Sequence, residues 1–150
     1  MSKGDALPFA ITHKVRDTCI CLHVQRAARA VGRRFDEALR PLGLTNGQFS
    51  MLMSLNRPDA ARMAEVSEVL AMDRTTLTAA LKLLERRGLV KVLVDAEDRR
   101  SRRLMLTPAG RKLLLDALPI WKRVHALIER HVAKFDANLD RIRADLRVLG

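Results

Sequence analysis

Tyrosine is absent from this chain of 150 residues, and aromatic residues make up only 3% of it. That scarcity argues against a surface that stacks single-stranded bases, which needs aromatic platforms. No apolar run approaches the ~20 residues required to span a bilayer. The opening Met1-Ser2-Lys3-Gly4-Asp5 has no apolar stretch of the kind an export signal carries, so the expected location is the cytoplasm. There is no glycine-rich phosphate loop, no metal-hydrolase histidine motif and no convincing carboxylate pair. The chain is therefore not expected to be an enzyme, nor to hold a cofactor or a metal. No internal repeat or low-complexity segment is visible. Acidic residues are the last shortage: 17 Asp and Glu stand against 28 Lys and Arg, a formal charge of +11.

What is present is an apolar fraction of 48%, enough at this length for one domain with its own core. The positive charge is concentrated. Between Arg74 and Lys112 eleven basic residues face four acidic ones, a net of +7. A charge run by itself describes a solvated face. Placed on a helix, a hairpin loop and the segment that follows, it points to a polyanionic partner. A membrane surface would require a basic amphipathic helix with little commitment to a core, and the long helices here are too apolar for that.

The apolar spacing predicts a loosely held arm over residues 1–16, containing Pro8. A long helix follows over 17–40, with Ile20, Val24, Ala27, Val31, Phe35 and Leu39 at helical intervals. Pro41 and Gly43 stop it. Thr45 and Gln48 form a capping box for a second helix that buries Phe49 and Leu52 and runs to about Leu55. A short helix from Met63 to Leu70 and a tight turn at Ala71-Met72 lead to Asp73. This short acidic side chain can cap the next helix by accepting from its free N–H groups. Leu77, Leu81 and Leu84 form that helix's packed stripe, and Gly88 suits the left-handed residue that ends it. Leu89–Val94 and the Leu104–Leu106 alternation read as a hairpin with Asp95–Arg102 as its loop. Thr107-Pro108 opens a long last arm. Its residues Leu114, Leu118, Trp121, His125, Ile128, Val132 and Phe135 repeat at spacings of four and three, as in a helix seam. Pro119 lies inside this pattern and should kink it. A final helix over 138–149 offers Leu139, Ile142, Leu146 and Leu149.

A capped helix followed by a two-stranded wing with arginines at its tip is a DNA-reading device. The helix fits a major groove, and arginines suit the negative potential of a minor groove. The stretch Leu84-Glu85-Arg86-Arg87-Gly88-Leu89-Val90, with Asp98-x-Arg100 and then Leu104-x-Leu106-Thr107-x-x-Gly110, resembles the MarR family of winged helix-turn-helix transcriptional regulators. The resemblance runs from about Thr18 to Leu149. It implies a mainly α fold with a small β-hairpin wing, a DNA-binding lobe over 45–106, and long dimerisation helices over 17–40 and 107–149. It further implies a homodimer on a palindromic duplex, with an arginine two residues after an aspartate entering the minor groove and oriented by it. That maps onto Asp98 and Arg100.

On the recognition helix Arg74, Thr75, Thr76, Thr78 and Lys82 point outward. The threonines are short enough to meet base edges, while Lys82 and Arg86 are better placed for phosphates. Arg99, Arg102 and Arg103 are expected to contact phosphate or to balance Asp95 and Glu97. The helical arms carry more apolar surface than one small winged core covers, so a second copy is expected on Leu114, Leu118, Ile128, Val132, Phe135, Leu139, Ile142 and Leu146. Phe49, Met53 and Trp121 are either core or the lining of a pocket of the kind in which the family binds small aromatic or phenolic effectors. Cys19 and His23, four apart on one face of the long helix, are also assigned to that pocket. Cys19 and Cys21, two apart on the predicted helix, point to different faces and cannot readily bridge each other.

The function expected is a sequence-specific regulator, a repressor relieved by a small ligand. The alternatives are a thiol-redox-responsive regulator of the same fold and a sequence-tolerant architectural DNA binder.

Overall fold

The computed structural model describes residues 7–135 and 137–149. It is mainly helical with a small antiparallel sheet. Helix α1 (Phe9–Thr18) is followed by α2 (Ile20–Leu39), a single 3-10 turn at Arg40–Leu42, and α3 (Asn46–Ser54). Strand β1 (Ala61–Arg62) leads directly into α4 (Met63–Leu70), then come α5 (Arg74–Arg86), β2 (Val90–Val94), β3 (Arg102–Leu106), α6 (Pro108–Ala133) and α7 (Leu139–Arg147).

Local hydrogen bonds set most of these boundaries. The Thr45–Gln48 capping box opens α3, with Gln48 N–H on Thr45 Oγ1 at 3.2 Å and Thr45 N–H on Gln48 Oε1 at 3.1 Å. Gly88, at φ +70°, turns the chain from α5 into β2. Thr107 caps α6, its hydroxyl donating to the Gly88 carbonyl (2.6 Å) and accepting from Gly110 N–H (3.0 Å). Gly110 is buried in the first turn of α6, where any Cβ would collide with the Leu89 carbonyl. The glycine in that motif is thus required by the close approach of α6 to the β2 entry.

The core forms where α2, α3, α5, β3 and α6 converge. Leu39, Leu52, Leu77, Leu84 and Leu104 are fully buried there.

Several expectations are revised. Residues 9–16 belong to a helix rather than an arm, while residues 1–6 of that predicted arm lie outside the described residues. The long helix starts at Ile20, because Cys19 leaves helical geometry at ψ 107°. Nothing in α1 is buried, so its few apolar residues give no strong periodic signal. The wing is three-stranded, in the order β1-β3-β2. The two residues of β1, Ala61 and Arg62, pair with Leu104 and Arg103 and are too short to show a pattern. Helix α6 holds Pro119 inside it, as the expected single last arm requires. Both Pro119 and Leu115 are exposed, so water can bond the carbonyl that the proline leaves without its donor.

Of the residues expected to meet a second copy, Leu114 and Ile128 are instead buried in the protomer's own core, at 6% and 9% exposure. Leu118, Val132 and Leu139 are half-buried, and Phe135, Ile142 and Leu146 are exposed.

Candidate nucleic-acid interface

Helices α4 and α5 form the helix-turn-helix. Their link passes through Ala71, a non-glycine residue at φ +49°, a left-handed conformation that costs an L-residue about 1 kcal/mol or more. It is held by Ala71 N–H on Glu68 O (3.1 Å) and Met72 N–H on Ser67 O (3.0 Å).

Asp73 caps α5 with both oxygens. Thr76 N–H donates to Oδ1 at 2.9 Å and the Thr76 hydroxyl to Oδ2 at 2.6 Å. The Thr76 hydroxyl, then its N–H, hold the Asp73 carboxyl below the usual carboxylate range. The hydroxyl of Thr76 thus gives its proton to the cap, and only its acceptor capacity is left for an outside partner. The Thr78 hydroxyl donates back to the Arg74 carbonyl at 2.7 Å, which leaves its methyl group and its acceptor capacity for an outside partner.

Thr75, Thr78, Ala79 and Lys82 line a depression of about 450 Å³ along the outer face of α5, with Arg74 at its end. A second depression, of about 280 Å³, lies where α5 meets the wing, bringing Arg74, Thr78 and Lys82 together with Arg100 and Arg102; Glu85 also borders it. A third, of about 450 Å³, joins Arg62 and Ser67 beside α4 to Arg74, Ser101 and Arg102. Arg74 borders all three. Arg62 was not among the residues singled out from the sequence. The available signal was a basic residue immediately before the first helix of the helix-turn-helix. Arg86 is exposed on the last turn of α5 and borders none of these depressions. Arg87 is structural, donating to Gly43 O (2.9 Å) and Gln48 Oε1 (3.3 Å).

At the tip of the wing, Asp98 accepts from Arg100 N–H (2.9 Å) and from the Ser101 hydroxyl (2.7 Å). Those two donors, the hydroxyl first, keep its carboxyl below its ordinary pKa. Asp98 thus shapes the backbone that carries Arg100 and does not grip its guanidinium. Arg102 Nη1 reaches back to the carbonyls of Arg99 (3.0 Å) and Ser101 (3.2 Å). Arg103 pairs with Asp95, Nε to Oδ2 at 2.6 Å.

Away from this face, Phe49, Met53 and Trp121 line an open groove of about 430 Å³ with Val69, Leu70 and Leu118. Trp121 stacks on His125 at a centroid distance of 4.8 Å. Cys19 and His23 do not border this groove; His23 Nδ1 lies 2.9 Å from the Cys19 carbonyl. Among the described residues no group of His, Cys, Asp and Glu could hold a metal ion, and no helix is long and apolar enough to cross a membrane.

Residues 42–101 match the sequence model of the MarR family. The transcriptional regulator MosR of M. tuberculosis, solved in complex with DNA, is 40% identical, with a TM-score of 0.78 over 87% of this chain and 92% of its own. CouR, a transcriptional repressor solved on a 23-mer DNA duplex, is 26% identical, with a TM-score of 0.77 over 97% of this chain and 99% of its own. The HTH-type transcriptional regulator TtmR of Methylorubrum extorquens is 35% identical over 105 residues, which are 69% of this chain and 54% of TtmR. The chain spans about half the length of the first curated relatives it matches. The capped α5, the wing joined to it at one basic face, and the extended likeness to MosR place this chain in the MarR family of winged helix-turn-helix transcriptional regulators.

Proposed function

We propose that this protein binds a palindromic DNA duplex as a homodimer and represses transcription until a small aromatic or phenolic ligand releases it. One observation carries the reading: Arg74, Lys82, Arg100 and Arg102 from two separate elements converge on one depression along a capped helix. Thr75, Thr78 and Ala79 meet base edges in a major groove. Arg100 enters the neighbouring minor groove, while Lys82, Arg86, Arg99 and Arg102 contact phosphate. The protein solved as MosR and the one solved as CouR both carry DNA, which supports a duplex as the polyanion.

The second copy docks on the exposed apolar residues of α1 and of the C-terminal arm, Phe9, Val15, Phe135, Ile142 and Leu146. The groove of Phe49, Met53 and Trp121 sits between α3 and α6, so a ligand wedged there alters how the DNA-binding lobe is carried by the long helices. Sequencing duplexes selected from a random pool tests the reading. An enriched palindrome is expected; retention of all sequences alike would favour an architectural binder.

A second trigger is favoured by the backbone at Cys19. The residue lies outside both helices, and Cys21 is in the first turn of α2 and exposed. The helical geometry that would keep the two sulfurs apart is therefore absent at Cys19. Peroxide treatment followed by mass measurement decides it: loss of two hydrogens together with loss of DNA binding, both prevented in Cys19→Ser, is the thiol-responsive outcome.

A further inference from the structure

Among the described residues Asp95 is the one buried ionisable side chain, 5% exposed where β2 enters the tip loop of the wing. A buried carboxylate is costly unless its oxygens are satisfied. Here they are satisfied in a particular way. Oδ1 accepts from Glu97 N–H at 3.0 Å, and Oδ2 accepts from Arg103 Nε at 2.6 Å. The Asp95 N–H donates to the Ser101 carbonyl at 3.1 Å. One residue thus holds both ends of the tip loop that carries Arg99 and Arg100.

Arg103 carries the link onward. Its Nη1 donates to the carbonyl of Ala60 at 3.3 Å, just ahead of β1 and α4. Across the same strand pair Arg62 lies in register with Arg103 and reaches Glu97 at 3.6 Å. A two-stranded ribbon is marginally stable and variable in twist. On its other edge β3 pairs with the two-residue strand β1.

We propose that Asp95 and Arg103 are positioning residues, an internal clamp that sets the angle of the wing tip against the helix-turn-helix, so that an anion within the DNA-facing lobe is required for DNA binding. The proposal rests on the duplex-binding function above. It assigns Arg103 to the protein's own carboxylate and carbonyl and not to phosphate. Charge and geometry make opposite predictions here. A carboxylate near bound phosphates repels them, so by electrostatics alone its removal strengthens binding. Loss of the clamp frees the tip, and so weakens binding. The Glu97 N–H and then Arg103 hold the Asp95 carboxyl below the usual carboxylate range, against the opposing effect of burial.

The test is Asp95→Asn, which keeps the shape and removes the charge, measured on the selected palindrome and on a random-sequence duplex. Operator affinity is expected to fall roughly tenfold, the scale of one lost groove contact, with random-duplex affinity unchanged or raised. In an Arg100→Ala background the same substitution should cause no further loss, since the wing then has no groove arginine to place. Arg103→Lys is the second variant and guards against a failure of Asp95→Asn to fold. It keeps the charge, and with it the salt slope, but a single ammonium cannot span Asp95 and Ala60 together, so operator affinity should still drop. Equal or tighter operator binding by folded Asp95→Asn, or wild-type affinity in Arg103→Lys, overturns the clamp alone. Failure of the unmodified chain to bind any duplex overturns the proposed function, and the clamp with it.

Discussion

Helices α5 and α7 carry the same kind of apolar stripe and meet opposite fates. In α5, Leu77, Leu81 and Leu84 are 0–2% exposed. In α7 no residue is buried, and Ile142 and Leu146 remain 37% and 44% exposed. Burial of apolar surface stabilises by about 25 cal/mol per Å², but only where something is available to cover it. Around α5 the chain supplies that cover from α4 and β2, so the winged lobe is complete within one protomer. Around α7, and equally α1, it does not. The contrast separates a part of the molecule finished by its own sequence from a part whose apolar face the protomer leaves uncovered.

The strongest way to break this comparison is to charge the unfinished face. Ile142→Glu with Leu146→Glu should give a folded monomer whose operator affinity is down by about 100-fold or more, because two half-sites are no longer engaged by one linked particle. Sedimentation and duplex binding measure both. A dimer of unchanged affinity would show that α7 faces solvent in the assembly.

A pair of alanine substitutions sharpens the same contrast. Leu84→Ala should destabilise by about 2–5 kcal/mol at any protein concentration. Leu146→Ala should cost stability that depends on concentration, since its partner is another chain. Urea unfolding at two concentrations distinguishes them, and identical behaviour would remove the distinction between the two helices.

Within the finished lobe the expected effects concern binding and not folding. Arg100→Ala should weaken specific binding by about 1–3 kcal/mol. Lys82→Ala should lower affinity for all duplexes and reduce the salt slope by about one unit. Thr78→Ala should relax preference among single-base operator variants. Uniform loss in all three, with the ranking of variants intact, would leave α5 as a supplier of charge only.

The smallest effect is on acid stability. Asp73 and Asp98 have folded pKa values below their unfolded ones. Their contribution is therefore complete above the ordinary carboxylate pKa of about 4 and is lost as pH falls through the lower folded values. Asp73→Asn should flatten thermal stability measured against pH over that acid range, by lowering it at neutral pH and leaving the acid end unchanged.

Some of the fold was legible because its causes are local. The caps at Thr45, Asp73 and Thr107, the left-handed Gly88 and the stripe of Leu77, Leu81 and Leu84 each involve residues a few positions apart. The basic face was legible as composition and position. Strand β1 was not legible, because a two-residue strand has no period. Nor was the role of Arg62, which only the pairing of β1 with β3 brings beside the wing. Thr76 and Thr78 looked alike along the chain, yet one hydroxyl serves Asp73 and the other the Arg74 carbonyl.

The sequence by itself determined where the capped helices α3, α5 and α6 begin and that a capped basic helix precedes an arginine-tipped hairpin, because those features are closed by hydrogen bonds and spacings within one turn or one loop. Tertiary structure alone decided which arginines are free. Arg103, next to Arg102 in the chain, is withdrawn from the DNA-facing set by Asp95 eight residues away and by Ala60 at a separation of 43. It also decided that Leu114 and Ile128 close the protomer's own core while Ile142 and Leu146 stay uncovered. Helical periodicity marks an apolar face, but which surface meets it depends on how distant segments pack, and that is not encoded in any single stretch of the chain.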